Sequence, residues 1–410
     1  MSGGDVLVHR DQLGYWAWAG FRLTPVLGVE ATQQYADFAL DRREELAADA
    51  ERAWLSAQWA RGAGRFEIRY RNDPGSVTAL LRCACLCRVR ADGEQEATAA
   101  ARDARERLAV GLPGFVRAEP MAADAEVHDW LVPFPEPAAE RGQVEILRGL
   151  SMRSSVRREF GRNATVLVAG YAQHRVSWEP MLRRLAALPF PAMLTLGLEA
   201  FPASRPFSAG LDQLAAVYDK LAQPAEGLPL FSGSTPRDEH AALAALRYRA
   251  FSRQYDRLGY RVRISLAGQR PLPDELGEWL AGALSSGSDP AVGAEAVQPA
   301  FHERAAAWGN LATLGAAPLP DTHRRALPDT ALGPLERELL NLADRTELGA
   351  VVQLPIAWPG RPALYSQVAE DTPEEDFPWV APRAPAPTGD PLLMSKLQDP
   401  DRGAKGNRYE

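Results

Sequence analysis

Lysine is scarce in this chain of 410 residues: of its 46 basic residues, only Lys220, Lys396 and Lys405 are lysines. A phosphate-binding P-loop needs a lysine in the pattern Gly-x-x-x-x-Gly-Lys-Ser/Thr, and none of the three stands in that context. The apolar segments around Leu167 and Leu266 are not followed by the glycines of a dinucleotide fingerprint. The sequence therefore predicts neither P-loop ATP hydrolysis nor a nicotinamide or flavin cofactor.

Cysteine and long apolar runs are also scarce. Cys83, Cys85 and Cys87 form an odd set within one segment, which does not suit the disulfide framework of a secreted protein. No run reaches the ~18 apolar residues of a membrane-spanning helix, and the first residues lack the pattern of a signal peptide. We expect a cytoplasmic protein with reduced thiols and no membrane contact.

Metal-binding and catalytic motifs are not found either. The six histidines stand apart, without zinc-ligand spacing, and no Gly-x-Ser-x-Gly elbow is present. Alternate cysteines on a strand lie roughly 6.5 Å apart on one face, too far for one zinc ion, so Cys83, Cys85 and Cys87 are predicted to fill a buried sheet face. We predict no metal, cofactor or recognisable catalytic residue, while an enzyme with an unrecognised site stays an alternative.

Hydrophobic periodicity predicts an α/β (α+β) fold whose first domain covers residues 1–140. A run of prolines from Pro133 to Pro137 marks its end. The predicted elements are strands within residues 6–26, a helix over 35–57, a hairpin of 66–70 with 77–89, a helix over 94–110, and strands over 115–121 and 130–134.

A second domain is predicted over residues 141–305, with an order close to a ferredoxin-like split βαβ unit. Its longest helix has Thr235 as its cap and Gly259 as its stop. The predicted strands are 164–171, 193–198, 260–266 and 297–301, and the predicted helices are 178–188, 208–221, 235–258 and 274–285.

The last two segments are a helical connection over residues 306–369, with a helix at 335–342, and a Pro-rich tail over 370–410. The tail composition predicts disorder in isolation, yet it keeps large apolar residues that gain by being buried on a partner or on the domain itself. The predicted partner-binding residues of the tail are Glu374, Glu375, Asp376, Phe377, Trp379, Leu392, Leu393 and Met394.

Three arginines of the long helix, Arg249, Arg253 and Arg257, follow i, i+4, i+8 spacing. The aromatic residues Tyr248, Phe251 and Tyr255 are interleaved with them. Arginines beside aromatics can neutralise phosphates and stack bases, which makes this helix a candidate nucleic-acid site. The alternative is an ordinary solvated helix face with its aromatics packed inward, and the net charge of −7 argues against a globally basic binder.

The segments 346–349, 351–356 and 359–360 resemble the stretch that joins the amino-terminal region of HerA/FtsK-type and conjugation-type ATPases to their motor. The order of elements from residue 66 to 198 is similar to that family's pre-motor α/β region. The chain departs from the family where the P-loop motor would follow, so no nucleotide-binding residue is carried over.

In that family the pre-motor region mediates oligomer assembly and partner recruitment. The resemblance therefore implies a non-catalytic adaptor or platform subunit that assembles with a separate ATPase, or with itself, in DNA transfer or phage defence. A nucleic-acid-binding module and an unrecognised enzyme are the two other hypotheses. A basic groove would favour the nucleic-acid-binding module, and a pocket with converging polar groups would favour the enzyme. Exposed apolar surface would favour the adaptor.

Overall fold

The protein is described by a computed structural model that covers most of the first 365 residues. All described residues belong to one compact unit, Met1–Val368, so the predictions for the tail lie outside them. The described residues are 4–12, 14–26, 38–72, 74, 80–137, 140–159, 162–224, 236–255, 258–286, 293–325, 327–328, 332–358 and 361–365.

Helices and antiparallel strands alternate along the chain, which confirms the predicted fold class. The strands are β1 Leu7–Asp11, β2 Gly14–Pro25, β3 Phe66–Asn72, β4 Leu81–Ala91, β5 Val116–Pro120, β6 Gln143–Leu147, β7 Leu150–Glu159, β8 Arg162–Val168, β9 Ala192–Pro202, β10 Leu258–Gly268, β11 Glu295–Val297 and β12 Leu342–Asp344. The helices are α1 Leu40–Ala60, α2 Glu94–Ala109, α3 Asp124–Leu131, α4 Glu179–Ala186, α5 Arg205–Ala222, α6 Glu239–Gln254, α7 Asp274–Leu284, α8 Arg304–Thr313, α9 Pro320–Arg324, α10 Pro334–Leu339 and α11 Leu348–Val351.

Ten of the described strands form one sheet in the order β1-β2-β4-β3-β9-β10-β6-β11, with β5 beside β2 and β12 beside β10. Phe66 of β3 lies opposite Cys87 on one side and Leu198 on the other, so the predicted hairpin is confirmed. The β3–β9 pairing joins strands from both sides of the predicted boundary at residue 140. The division into separate domains, like the ferredoxin-like detail, stays a prediction.

One face of the sheet carries the main hydrophobic core. Alternate residues of each strand point into it, among them Phe66 and Ile68 of β3 and all three cysteines of β4. Trp54 of α1 meets Phe66 edge to face at 5.8 Å, and its indole donates to the carbonyl of Leu108 at 3.0 Å. The prediction that Cys83, Cys85 and Cys87 fill a buried sheet face is therefore confirmed.

The second face of the sheet is covered by α3 and α8, and here one sequence prediction is wrong. Residues 130–134 were expected to form a strand, but Trp130 and Leu131 end the helix α3. Val127, Trp130 and Leu131 follow helical spacing and pack against Leu86 of β4. Buried Arg69 then donates to the carbonyls of Trp130 at 2.7 Å and Leu131 at 3.1 Å, which satisfies the end of the helix.

A second core lies between the two-stranded sheet β7–β8 and the helices α5, α6 and α10. Buried Arg148 connects this core to the sheet, because its guanidinium bonds the Tyr255 hydroxyl at 2.6 Å and the Glu347 carboxylate at 2.7 Å. Glu347 in turn accepts from the backbone N–H of Tyr171 at 2.9 Å. A buried charge must have such partners, and this pair therefore fixes the two cores against each other.

The bounds of two further predicted elements need correction. The described part of the long helix runs over Glu239–Gln254, and its cap is Asp238, whose carboxylate accepts from the N–H of Ala241. Gly259 lies inside β10 and does not stop the helix, while Thr235 lies outside the described residues. The strand expected at 297–301 ends at Val297, and Phe301–Glu303 form a short 3-10 helix.

Candidate functional site

An open cleft of about 670 Å³, solvent included, lies where α4 meets the extended segment that follows α11. Its walls combine charged and apolar side chains. The charged ones are Glu44, Arg175, Glu179, Arg183 and Arg361, and the large apolar and aromatic ones are Leu182, Leu354, Ile356, Trp358, Leu364 and Tyr365. The segment 351–356, which carries the resemblance to the pre-motor region, thus contributes to one wall of this cleft.

Side-chain bonds to the backbone hold the extended segment in place. The amide of Gln353 donates to the carbonyl of Val176 at 2.7 Å and accepts from the N–H of Trp178 at 3.2 Å. The hydroxyl of Tyr70, on β3, donates to the carbonyl of Gln353. One wall of the cleft is therefore attached to the sheet and to the start of α4.

The charged side chains on the rim of the cleft pair with one another. Arg183 bonds Glu179 one helical turn away at 2.7 Å, and Arg361 bonds the same carboxylate and approaches Glu44 at 3.9 Å. Burial would raise the pKa of Glu179, but the bonds from Arg183 and Arg361 hold it below its usual value. The rim is therefore electrically balanced.

Glu51 lies beneath the cleft and is fully buried on α1. One of its oxygens accepts from the N–H of Leu354 at 2.7 Å, and the other accepts from Arg175 at 2.6 Å. Burial raises the pKa of Glu51 to about 7, against the opposing effects of Arg175 and the Leu354 bond. Protonation of this carboxyl consequently changes near neutral pH.

A carboxyl with a pKa near 7 next to a cleft is a feature of acid–base catalysts. Glu51, however, is not part of the cleft wall, and Arg175 lies between its carboxyl and the open space. Within the described lining the hydroxyl of Ser177 caps the N–H of Glu179 at 3.3 Å, and burial raises the pKa of the Tyr365 phenol well above its usual value. This lining suits binding of a ligand better than proton transfer to one.

A cluster that the sequence did not predict is formed by His302, Glu303 and Asp321, whose ligand atoms lie within 4.8 Å of one another. Both oxygens of Glu303 already accept bonds, from the N–H groups of Asp321 at 2.9 Å and Thr322 at 2.8 Å. His302 bonds the Asp321 carboxylate at 2.8 Å. The cluster is accounted for as the group that holds the start of α9.

The candidate nucleic-acid-binding arginines of α6 do not lie on the same face as the aromatic side chains that were expected to stack bases beside them. Arg249 pairs with Asp219 of α5 at 3.2 Å, Arg253 is exposed, and Arg257 lies outside the described residues. The aromatic side chains of the helix, Tyr248, Phe251 and Tyr255, are buried in the second core. The inward-packed interpretation of these aromatics is confirmed, and they are not available to stack on bases.

Two leucines of the same helix are exposed, and sequence reasoning missed them. Leu243 is 40% and Leu246 61% exposed, although Leu243 lies between buried Ala242 and Ala244 and Leu246 follows buried Ala245. Leu246, Arg249 and Arg253 follow i, i+3, i+7 spacing, so they share one face of α6. The alanines of this helix are the sequence signal for the exposed leucines. They form a second, small-residue face on which the helix can pack, and this leaves the leucines outside.

Comparison with protein-family models and with curated proteins gives no match for this chain. Among the described residues, no helix is both long and apolar enough to cross a membrane. The tail residues predicted to bind a partner, from Glu374 to Met394, lie outside the described residues.

Proposed function

We propose that this protein is a platform subunit that docks on a separate ATPase of the HerA/FtsK type through the outer face of α6, in DNA transfer or phage defence. The class of partner comes from the resemblance of most of residues 60–360 to the pre-motor region. The observation that carries the docking face is the exposure of Leu243 and Leu246 beside Arg249 and Arg253.

The helix can present this face because its inner face is fully used. Ala241, Ala244 and Ala245 allow close approach to α5, and Tyr248 and Phe251 fill the second core. Two leucines one turn apart, followed by two arginines, form a pattern that suits an apolar groove with an acidic rim. Large apolar side chains that are exposed together commonly mark a protein interface.

The leucines also distinguish a protein partner from nucleic acid. A phosphate backbone offers no apolar surface to Leu246, and the aromatics that could stack bases are buried. Burial of the exposed part on a protein contributes about 0.6 to 1.2 kcal/mol for Leu243 and about 0.9 to 1.8 kcal/mol for Leu246, since full burial contributes ~1.5 to 3 kcal/mol. The same helix on nucleic acid would gain only the arginine contacts.

The proposal is tested by recovering the tagged protein from its native host and identifying a HerA/FtsK-type ATPase by mass spectrometry, followed by affinity measurement with the purified ATPase. The test variant carries Leu243→Gln and Leu246→Gln. The control carries Val110→Gln and Val176→Gln, because these valines are exposed at 40% and 49% and lie outside α6. We expect the leucine variant to bind ~10- to 100-fold more weakly and the control to bind as the wild type does.

Three outcomes would count against this function. In the first, the ATPase binds the leucine variant with unchanged affinity. In the second, no such ATPase is recovered with the wild-type protein. In the third, light scattering shows that the leucine variant loses only its self-association, so that the docking face is a contact between copies of this chain. Loss of DNA binding in Arg249→Gln with Arg253→Gln, with no ATPase effect, would support the nucleic-acid hypothesis.

A further inference from the structure

The second face of the sheet carries a group of arginines near the centre of the molecule, away from α6 and from the cleft. Arg88 lies on β4 and its N–H bonds the carbonyl of Arg65, which directly precedes β3. Arg263 lies on β10, opposite Gly197 of β9. Glu67 also lies opposite Gly197, and Arg65 and Arg263 meet beside this glycine, while the Arg88 guanidinium stacks on the Trp16 ring at 4.4 Å.

These arginines have unequal partners. Glu67, which is fully buried, bonds Arg69 closely at 2.7 Å, whereas Arg263 and Arg65 approach its other oxygen only at 3.4 and 3.8 Å. Arg65 reaches Glu199 at 3.5 Å. Buried guanidinium–carboxylate pairs usually lie at 2.7 to 2.9 Å, so Arg65 and Arg263 lack a close anionic partner.

The backbone bonds of these side chains are also long or few. Arg263 approaches the carbonyl of Gly315 at 3.4 Å, and Arg88 that of Thr313 at 3.2 Å. The Nε atoms of Arg65 and Arg263 are buried without a hydrogen-bond partner among the described residues. Both side chains are largely buried, 12% and 13% exposed, where an unsatisfied cation is costly.

Gly197 provides the space in which the side chains meet. A Cβ atom at this position would lie 3.2 Å from a guanidinium nitrogen of Arg65 and 3.4 Å from a carboxylate oxygen of Glu67. A side chain on β9 here would therefore crowd the Arg65 guanidinium. The bare backbone leaves Arg65 and Arg263 facing the same small region.

We propose that Arg65, Arg88 and Arg263 form a binding site for a small phosphate, either inorganic phosphate or a phosphomonoester. Guanidinium groups donate two parallel N–H bonds to phosphate oxygens, which is the geometry that these loosely paired side chains can offer. Four arginines, Arg69 included, face Glu67, Glu199 and Glu145, and Glu145 is bound by the Ser265 hydroxyl at 2.7 Å. The positive charge is in excess.

The titration of Arg65 agrees with this geometry. Its pKa is lowered to about 10: burial is the largest cause, and the neighbouring Arg263 and Arg88 act in the same direction against the opposing effects of Glu67 and Glu199. A dianion placed between the arginines would replace repulsion among cations by charge-assisted hydrogen bonds.

Isothermal titration of the full chain with inorganic phosphate, in a phosphate-free buffer of constant ionic strength, tests the site. We expect one saturable site, and Arg263→Met should weaken it by ~10-fold or more, as loss of a charged hydrogen bond predicts. Arg184→Met is the control: Arg184 lies on α4 and pairs with Glu275 at 3.0 Å on the surface, away from Glu67 and Glu199. Its affinity for phosphate should stay within ~2-fold of the wild type.

Gly197→Ala provides a second variant that keeps every charge, and we expect it to weaken phosphate binding by crowding Arg65. The absence of saturable binding up to ~10 mM phosphate would overturn the site. The site would also be overturned if Arg263→Met and Gly197→Ala both bound phosphate with the affinity of the wild type. Binding of a single-stranded oligonucleotide by the wild type, with none of phosphate, would also overturn it and replace it by a nucleic-acid surface.

Discussion

At the scale of single residues, the buried glutamate beneath the cleft has the most unusual environment. Glu51 receives bonds from Arg175 and Leu354, which lie far from it in the chain. Its folded-state pKa of about 7 lies above the ordinary value of 4.5 because burial disfavours the charged form. The protonated form of Glu51 is thus favoured by folding.

This shift predicts a pH dependence of stability. A carboxyl with a raised folded-state pKa contributes stability that is fully present below pH 4.5 and is lost as pH rises to about 7. The loss is ~3 kcal/mol, since one pKa unit corresponds to about 1.4 kcal/mol. We expect the free energy of unfolding, measured by urea denaturation, to fall less between pH 4.5 and 7 in Glu51→Gln than in the wild type. Equal slopes in the two proteins would contradict the assignment.

The sequence could not reveal Glu51, in contrast to the cysteines. Cys83, Cys85 and Cys87 alternate, and a period of two identifies their shared face without knowledge of the fold. Glu51 is one of 53 acidic residues, and its special position depends on contacts with residues 175 and 354. Long-range contacts of this kind leave no local pattern.

At the scale of elements, β4 is a central strand with two different faces. Its cysteines point into the main core, while Ala84 and Leu86 pack under α3 on the other face. Burial raises the pKa of all three thiols, and Cys87 lies 3.5 Å from the carbonyl of Ala19, which can accept a bond from it. Cys85 is completely buried within the apolar cluster.

Serine substitutions distinguish these two positions. We expect Cys85→Ser to lower the free energy of unfolding by ~1 to 3 kcal/mol, because its hydroxyl is buried in apolar surroundings. Cys87→Ser should cost less, since its hydroxyl can donate to the carbonyl of Ala19. Urea denaturation of both variants checks the order, and a Cys85→Ser protein as stable as the wild type would refute the packing described for β4.

Helices and strands with a clear hydrophobic periodicity were predicted close to their observed bounds, and those without it were not. Helices α2, α4, α5 and α7 and the strands β3, β4, β8, β9 and β10 lie where periodicity and turn residues indicated. Strand β7 was missed because Arg153 and Arg158 give it a polar, non-alternating composition. Helix α3 is not predicted because Trp130 and Pro133 favour a strand in composition, although Val127, Trp130 and Leu131 follow helical spacing.

At the scale of the whole molecule, the described residues form one large sheet and a second core, and α6 packs its inner face on this core and exposes its outer face. The sequence predicted α6 as a helix and identified its arginines, but not which face stays exposed, because that depends on the packing of α5 and β8. Likewise, the arginine cluster around Gly197 depends on the register of β3, β9 and β10. Both proposals therefore rest on the fold more than on any sequence motif.

The central claim is that the outer face of α6 contacts the ATPase. Since the native cysteines are buried, Leu246→Cys introduces a single exposed thiol that can carry a polarity-sensitive fluorophore. Val110→Cys, at a similarly exposed position at the end of α2, is the matched control. The measurement is the emission of each labelled protein during titration with a purified HerA/FtsK-type ATPase. We predict a saturable blue shift at position 246 and none at position 110; a complex that forms while the emission at position 246 stays unchanged would contradict the account.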